Sequence, residues 1–161
     1  METQSRQRGF TLIEMMVVIA IVAILAVIGY PSYQNYIRLS RLEDARAALV
    51  ENIQMMERHY VKSNSFCATA GSERECRTWP TLPAPATRFY DIAIADYNVD
   101  AKKKASNADN FVLQAVAKEG VYSESVRQTV PLTLYYSSLN GNFFRCKKDV
   151  EIGSSEGCED Y

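Results

Sequence analysis

The stretch Arg6-Gln7-Arg8-Gly9-Phe10-Thr11-Leu12-Ile13-Glu14 sets a basic, polar leader directly against an apolar run. That run reaches Tyr30 with Glu14 as its one charge. Its length, about 20 residues, is that of a helix crossing a bilayer. A secretory signal has a shorter apolar core, about 7–15 residues, followed by a small-residue cleavage site. Arg6 and Arg8 place the leader on the cytoplasmic side, because positive flanks stay inside. The Glu14 carboxylate is expensive in hydrocarbon. Insertion scales give about 2.5–3.5 kcal/mol for Asp at a helix centre, and the cost is lower near the edge. A charge kept at that cost points to a function. A plain anchor explains neither Glu14 nor the glycine at the polar–apolar junction.

The chain has 161 residues, the size of one domain plus this N-terminal segment. Its formal net charge is −1, and loss of nine leader residues, with two arginines and one glutamate, takes it to −2. Such a balance exerts no global pull on nucleic acid or anionic lipid. Cys67, Cys76, Cys146 and Cys158 all follow the apolar run. Their spacings match no common zinc pattern, and His59 is the only histidine. Two disulfides in an oxidising compartment account for them more simply. Three pairings are open, with the local set, Cys67 to Cys76 and Cys146 to Cys158, preferred.

Helical patterning continues beyond the apolar run. Leu39, Leu42, Leu49, Ile53, Met56 and Tyr60 make one apolar stripe among Arg38, Arg41, Glu43, Asp44, Glu51, Glu57 and Arg58. The two halves predict one helix from about Phe10 to about Val61, on the order of 75 Å long. Gly29 and Pro31 interrupt it, and a bend is expected there. Tyr30, Tyr33 and Tyr36 fit either an interfacial aromatic belt or filament contacts. Residues 63–87, with Trp79-Pro80-Thr81-Leu82-Pro83-Ala84-Pro85, read as a long loop in which Trp79 anchors on the core.

Strands follow. Phe89–Ala95 sets Tyr90, Ile92 and Ile94 on one face. Phe111–Ala117 does the same with Phe111, Leu113, Ala115 and Ala117, and Leu132–Ser138 with Leu132, Leu134 and Tyr136. Asn140-Gly141 then predicts a hairpin into Asn142–Cys146. Four antiparallel strands with one apolar face need a cover, and the helix stripe supplies it. The expected class is α+β, a long N-terminal helix packed on a four-stranded antiparallel sheet.

The residues GFTLIE after a basic leader, the apolar stretch and Tyr30-Pro31 resemble the class III leader of type IV pilins of the IVa kind, and the helix-plus-sheet pattern extends the resemblance across the chain. The resemblance implies that a prepilin peptidase cuts between Gly9 and Phe10, that Phe10 becomes an N-methylated terminus, and that the helix is retained. Residues 1–9 are then leader, 10–30 the membrane and filament-core helix, 31–61 its amphipathic half and 62–161 the head. The head divides into an αβ loop (62–88), a sheet (89–146) and a disulfide-bounded region (146–158). In the family, the equivalent of Glu14 engages the new amine of a neighbouring subunit. Two charges 4 Å apart at an effective dielectric of 20 attract by about 4 kcal/mol before desolvation, enough to favour one register. The family also staples its C-terminal region to the last strand, which implies a Cys146 to Cys158 bond.

No catalytic triad, phosphate loop or zinc spacing occurs. No enzyme activity, cofactor or metal is expected, and His59 reads as structural or solvated. The spine PSYQNYIRLSRLEDARAALVENIQ and the tail NFFRCKK…GC are most like minor pilins of the PilX type. That likeness implies bacterial aggregation and adhesion, with Lys147, Lys148, Asp149, Glu151 and Glu156 as the candidate interaction surface. Expected partners are other pilins, the assembly machinery, the inner membrane before assembly, and subunits on pili of neighbouring cells. A DNA-receptor minor pilin would need a basic stripe. Its candidates are Lys102-Lys103-Lys104 and Lys147-Lys148, each followed by acids, so nucleic acid is not the expected partner. A type II secretion pseudopilin shares the first half of the pattern.

Overall fold

The computed structural model describes residues 10–71, 75–95, 98–100, 103–104, 106–147 and 158–161, with backbone alone at 98–100 and 103–104. Helix α1 runs from Leu12 to Ser63 and continues through Gly29 and Pro31. It starts on a Thr-x-x-Glu box, in which the Thr11 N–H and hydroxyl both donate to Glu14 Oε2 at 2.8 Å. It stops at Asn64, whose φ of 51 is left-handed and whose N–H donates back to the Tyr60 carbonyl at 2.7 Å. The chain divides into two compact units, Met1–Ser40 and Arg41–Tyr161. In the first, every residue from Phe10 to Tyr33 is exposed.

The second unit contains the end of α1 and all the described strands. These are β1 (Thr69–Ala70), β2 (Cys76–Thr78), β3 (Tyr90–Ile94), β4 (Asn98–Asp100), β5 (Lys103–Lys104), β6 (Val112–Ala117), β7 (Thr133–Ser137), β8 (Asn142–Cys146) and β9 (Cys158–Asp160). A six-residue helix, α2 (Glu124–Thr129), lies between β6 and β7. The main sheet is antiparallel in the order β3-β6-β7-β8-β9. Gly141, at φ 71, makes the β7–β8 turn that Asn140-Gly141 predicts. Leu42, Ala45, Leu49, Ile53 and Met56 from α1 close over Tyr90, Ile92, Leu113, Ala115 and Leu134. A side chain buried as fully as Leu49 contributes about 1.5–3 kcal/mol. Tyr60, Phe66, Phe111, Tyr136 and Phe143 form a row of rings 4.5, 4.7, 6.0 and 5.0 Å apart.

The sheet has five strands where four are expected. The fifth, β9, pairs Cys158 with Cys146 in register, so the disulfide and the ladder coincide. A strand of three residues, ending in Glu159-Asp160, carries too little alternation to be read from sequence. The hairpins β1–β2 and β4–β5 and the helix α2 were equally unmarked, being too short for periodicity to accumulate. Leu39, placed on the apolar stripe, is exposed. Trp79 packs on the core as expected.

Candidate functional site

Three groups of residues carry the candidate chemistry. The first is the start of α1. Glu14 Oε2 takes both Thr11 hydrogen bonds, and the Thr11 hydroxyl accepts the Glu14 N–H at 3.3 Å. Oε1 makes no hydrogen bond among the described residues, so one face of the carboxylate remains available to an external cation. Thr11 is a member of this site that the apolar pattern does not reveal, although Thr-x-x-Glu before an apolar run is itself a capping signal. Phe10 is 80 % exposed; Gly9 lies outside the described residues. Gly29 is surrounded by open space, and Pro31 sits inside α1.

The second group fixes the loop between α1 and the sheet. Cys67 is bonded to Cys76, and His59 Nε2 lies 2.9 Å from the Cys67 carbonyl oxygen. Asn52 is fully buried on the apolar stripe. Its amide donates to the Ala84 carbonyl at 2.7 Å and its carbonyl accepts the Ala84 N–H at 3.0 Å. One side chain thus satisfies both backbone polar groups of a loop residue, which would otherwise cost about 1–3 kcal/mol each. The signal was legible, since 45, 49, 52 and 56 step by helical intervals and Asn52 is the polar member. Beyond Ala84 the chain enters a turn. Thr87 N–H donates to the Tyr90 carbonyl at 2.7 Å, and Thr87 Oγ1 accepts the Phe89 and Tyr90 N–H groups at 3.3 and 3.0 Å. Burial, then the neighbouring Tyr122, pushes the Tyr90 phenol above its usual range.

The third group is the C-terminal region. Cys146 is bonded to Cys158. The Tyr161 hydroxyl donates to Glu43 on α1, and its N–H donates to the Phe143 carbonyl at 3.1 Å. Burial first, then the bond to Glu43, pushes the Tyr161 phenol up to about 12. Arg46 lies over Phe143 and Tyr161 at 5.3 and 5.4 Å, and Arg145 pairs with Glu159 at 3.2 Å. Of the predicted interaction surface, Lys147 is half-buried, while Lys148, Asp149, Glu151 and Glu156 lie outside the described residues. Lys103 and Lys104 form β5, antiparallel to β4; Lys102 lies outside. Among the described residues no cluster of metal-binding side chains forms.

Residues 31–128 match the family described as type IV minor pilin ComP, DNA uptake sequence receptor. Residues 4–30 match the prokaryotic N-terminal methylation motif. No curated protein matches the chain. The family named is ComP, so the narrower likeness to PilX is not supported. A family described as a DNA receptor also removes the basis for setting nucleic acid aside on near-neutral charge, because binding depends on where charges sit rather than on their sum. The methylation motif and the minor-pilin domain together cover most of the chain, which therefore belongs to the type IV minor pilin ComP family: a structural subunit and not an enzyme, anchored in the inner membrane by its apolar helix and then assembled with other pilins into the extracellular pilus.

Proposed function

We propose that this minor pilin is a DNA receptor displayed on the type IV pilus. The supporting observation is the family match over residues 31–128, which takes in the amphipathic part of α1, the αβ loop, β3 to β6 and most of α2. In this reading a prepilin peptidase cuts after Gly9, Phe10 is methylated, and Glu14 guides the helix into register. Thr11 holds one oxygen of Glu14 while Oε1 meets the amine of a neighbouring subunit. Gly29 and Pro31 supply a bend when the helix is packed among its neighbours. The head then offers its cationic side chains to duplex DNA passing the filament. The test is fluorescence anisotropy of the detergent-solubilised full chain with labelled duplex DNA at a series of salt concentrations. A DNA receptor binds, and its affinity falls steeply with salt as counterions are released. Absence of binding at low salt contradicts the reading.

A second reading follows the PilX-type resemblance, in which the subunit promotes aggregation and adhesion. It is favoured by the Cys146–Cys158 bond, which closes a loop bearing Lys147, Lys148, Asp149, Glu151 and Glu156. Deleting the gene and scoring pilus number, clumping and DNA uptake separately tells the two apart. Pili without clumping favour aggregation; pili that clump but take up no DNA favour the receptor. A secretion pseudopilin is the third alternative and predicts that neither trait changes.

A further inference from the structure

The turn that begins at Thr87 presents a cationic face over an aromatic ring, Phe89, that is partly buried against the core. Its two central residues are Arg88 and Phe89. The Arg88 guanidinium lies 5.3 Å from the centre of the Phe89 ring. Arg41, reaching from α1, lies 4.5 Å from the same centre and 5.6 Å from that of Tyr122. Two cations therefore share one aromatic ring. The turn beneath them is pinned by Lys118, the residue that follows β6. It donates its N–H to the Phe89 carbonyl at 2.9 Å and its ammonium to the Thr87 carbonyl at 2.7 Å. Beside the ring, Arg41, Arg88, Phe89, Glu119, Gly120 and Val121 line an open depression of about 430 Å³.

We propose that this depression is a phosphodiester-binding site through which the head grips the DNA backbone, an inference that rests on the receptor reading above. A guanidinium is a planar fork whose paired N–H donors match phosphate oxygens. Stacking on a ring limits the orientations of that fork, so less freedom is lost when the ligand arrives. The charge count selects the ligand. Two guanidiniums and the Glu119 carboxylate sum to one positive charge, which balances the single negative charge of a phosphodiester and leaves a phosphomonoester dianion under-neutralised. The Lys118 ammonium, 3.7 Å from Asp91 Oδ1, leaves that balance unchanged. Arg88 and Glu119 are both exposed and can be replaced without disturbing the core.

The experiment uses the full chain in detergent micelles with labelled duplex DNA, comparing Arg88→Ala and Glu119→Gln with the unsubstituted protein over a salt series. Arg88→Ala is expected to weaken binding about tenfold at low salt and to reduce the log–log salt slope by about 1, the loss of one phosphate contact. Glu119→Gln removes the opposing charge and is expected to tighten binding about two- to fivefold. If the unsubstituted protein binds DNA but neither variant changes affinity or slope, the site is overturned and the receptor reading stands. If the unsubstituted protein binds no DNA, both fall. If Arg88→Ala leaves DNA affinity unchanged and lowers incorporation into pili, the depression takes an acidic side chain of a neighbouring subunit and the proposal is overturned.

Discussion

The apolar and amphipathic halves of α1 obey different rules. From Met15 to Ile28 the helix is apolar on all sides, and each of those residues is exposed. From Arg41 to Ser63 the apolar groups narrow to one stripe, and Leu42, Ala45, Leu49, Ile53 and Met56 are buried on the sheet. A helix that is hydrophobic all round is built for a surrounding that its own chain does not provide. The bilayer supplies that surrounding first and other pilins supply it later. A helix with one stripe is half of a domain core. The chemistry at the two ends differs in the same way. Among the described residues Glu14 has one oxygen without a hydrogen bond, whereas Asn52 has both of its polar atoms committed inside the head.

Substitutions in the first half should act on processing and assembly and leave the head folded. The largest effect is expected from Gly9→Asp, which should block leader removal; an N-terminus at Phe10 in that variant, read by mass spectrometry, contradicts the cleavage site. Glu14→Val should be cut and inserted yet be nearly absent from sheared pili, as quantified by immunoblot. Substitutions in the second half should act on stability. Leu49→Ala should destabilise the head by about 2–5 kcal/mol in urea unfolding of the solubilised chain. Ile21→Ala should stay within about 0.5 kcal/mol, being exposed and touching no part of the core. Equal losses from the two would erase the distinction between the halves. Asn52→Ala should cost about 1–3 kcal/mol, because the Ala84 N–H and carbonyl lose their partners.

Much of this division was readable in advance because both halves are long. Over about 20 residues, uniform apolarity and a 3.6-residue stripe are different patterns, and each predicts its own surroundings. The strand faces were equally plain, since Tyr90, Ile92, Leu113, Ala115 and Leu134 alternate cleanly. What escaped was short or assembled from distant residues. β9 has three residues and acquires its place from the Cys146–Cys158 pairing. The stack of Arg41, Phe89 and Arg88 joins α1 to a turn far along the chain, and no local spacing announces it. Thr11 and Asn52 are different cases, since each stood in a pattern that was itself legible.

The smallest effect concerns the C-terminal contact. Burial first, then the bond to Glu43, pushes the Tyr161 phenol from its ordinary 10.0 up to about 12. Its contribution is therefore fully present below pH 10 and is lost as pH rises from 10 through 12. Solvent reaches this side chain, so the loss should be slight. Tyr161→Phe should abolish that increment of pH dependence, as measured by unfolding midpoints across the alkaline range. An unchanged alkaline profile contradicts a role for the bond to Glu43.

The most direct test is intact-mass spectrometry of this subunit recovered from sheared pili. The expected mass is that of residues 10–161 with one added methyl group and two disulfides. A mass retaining residues 1–9, or one lacking the apolar helix, contradicts the claim that the exposed half of α1 is kept after trimming to bundle with other pilins.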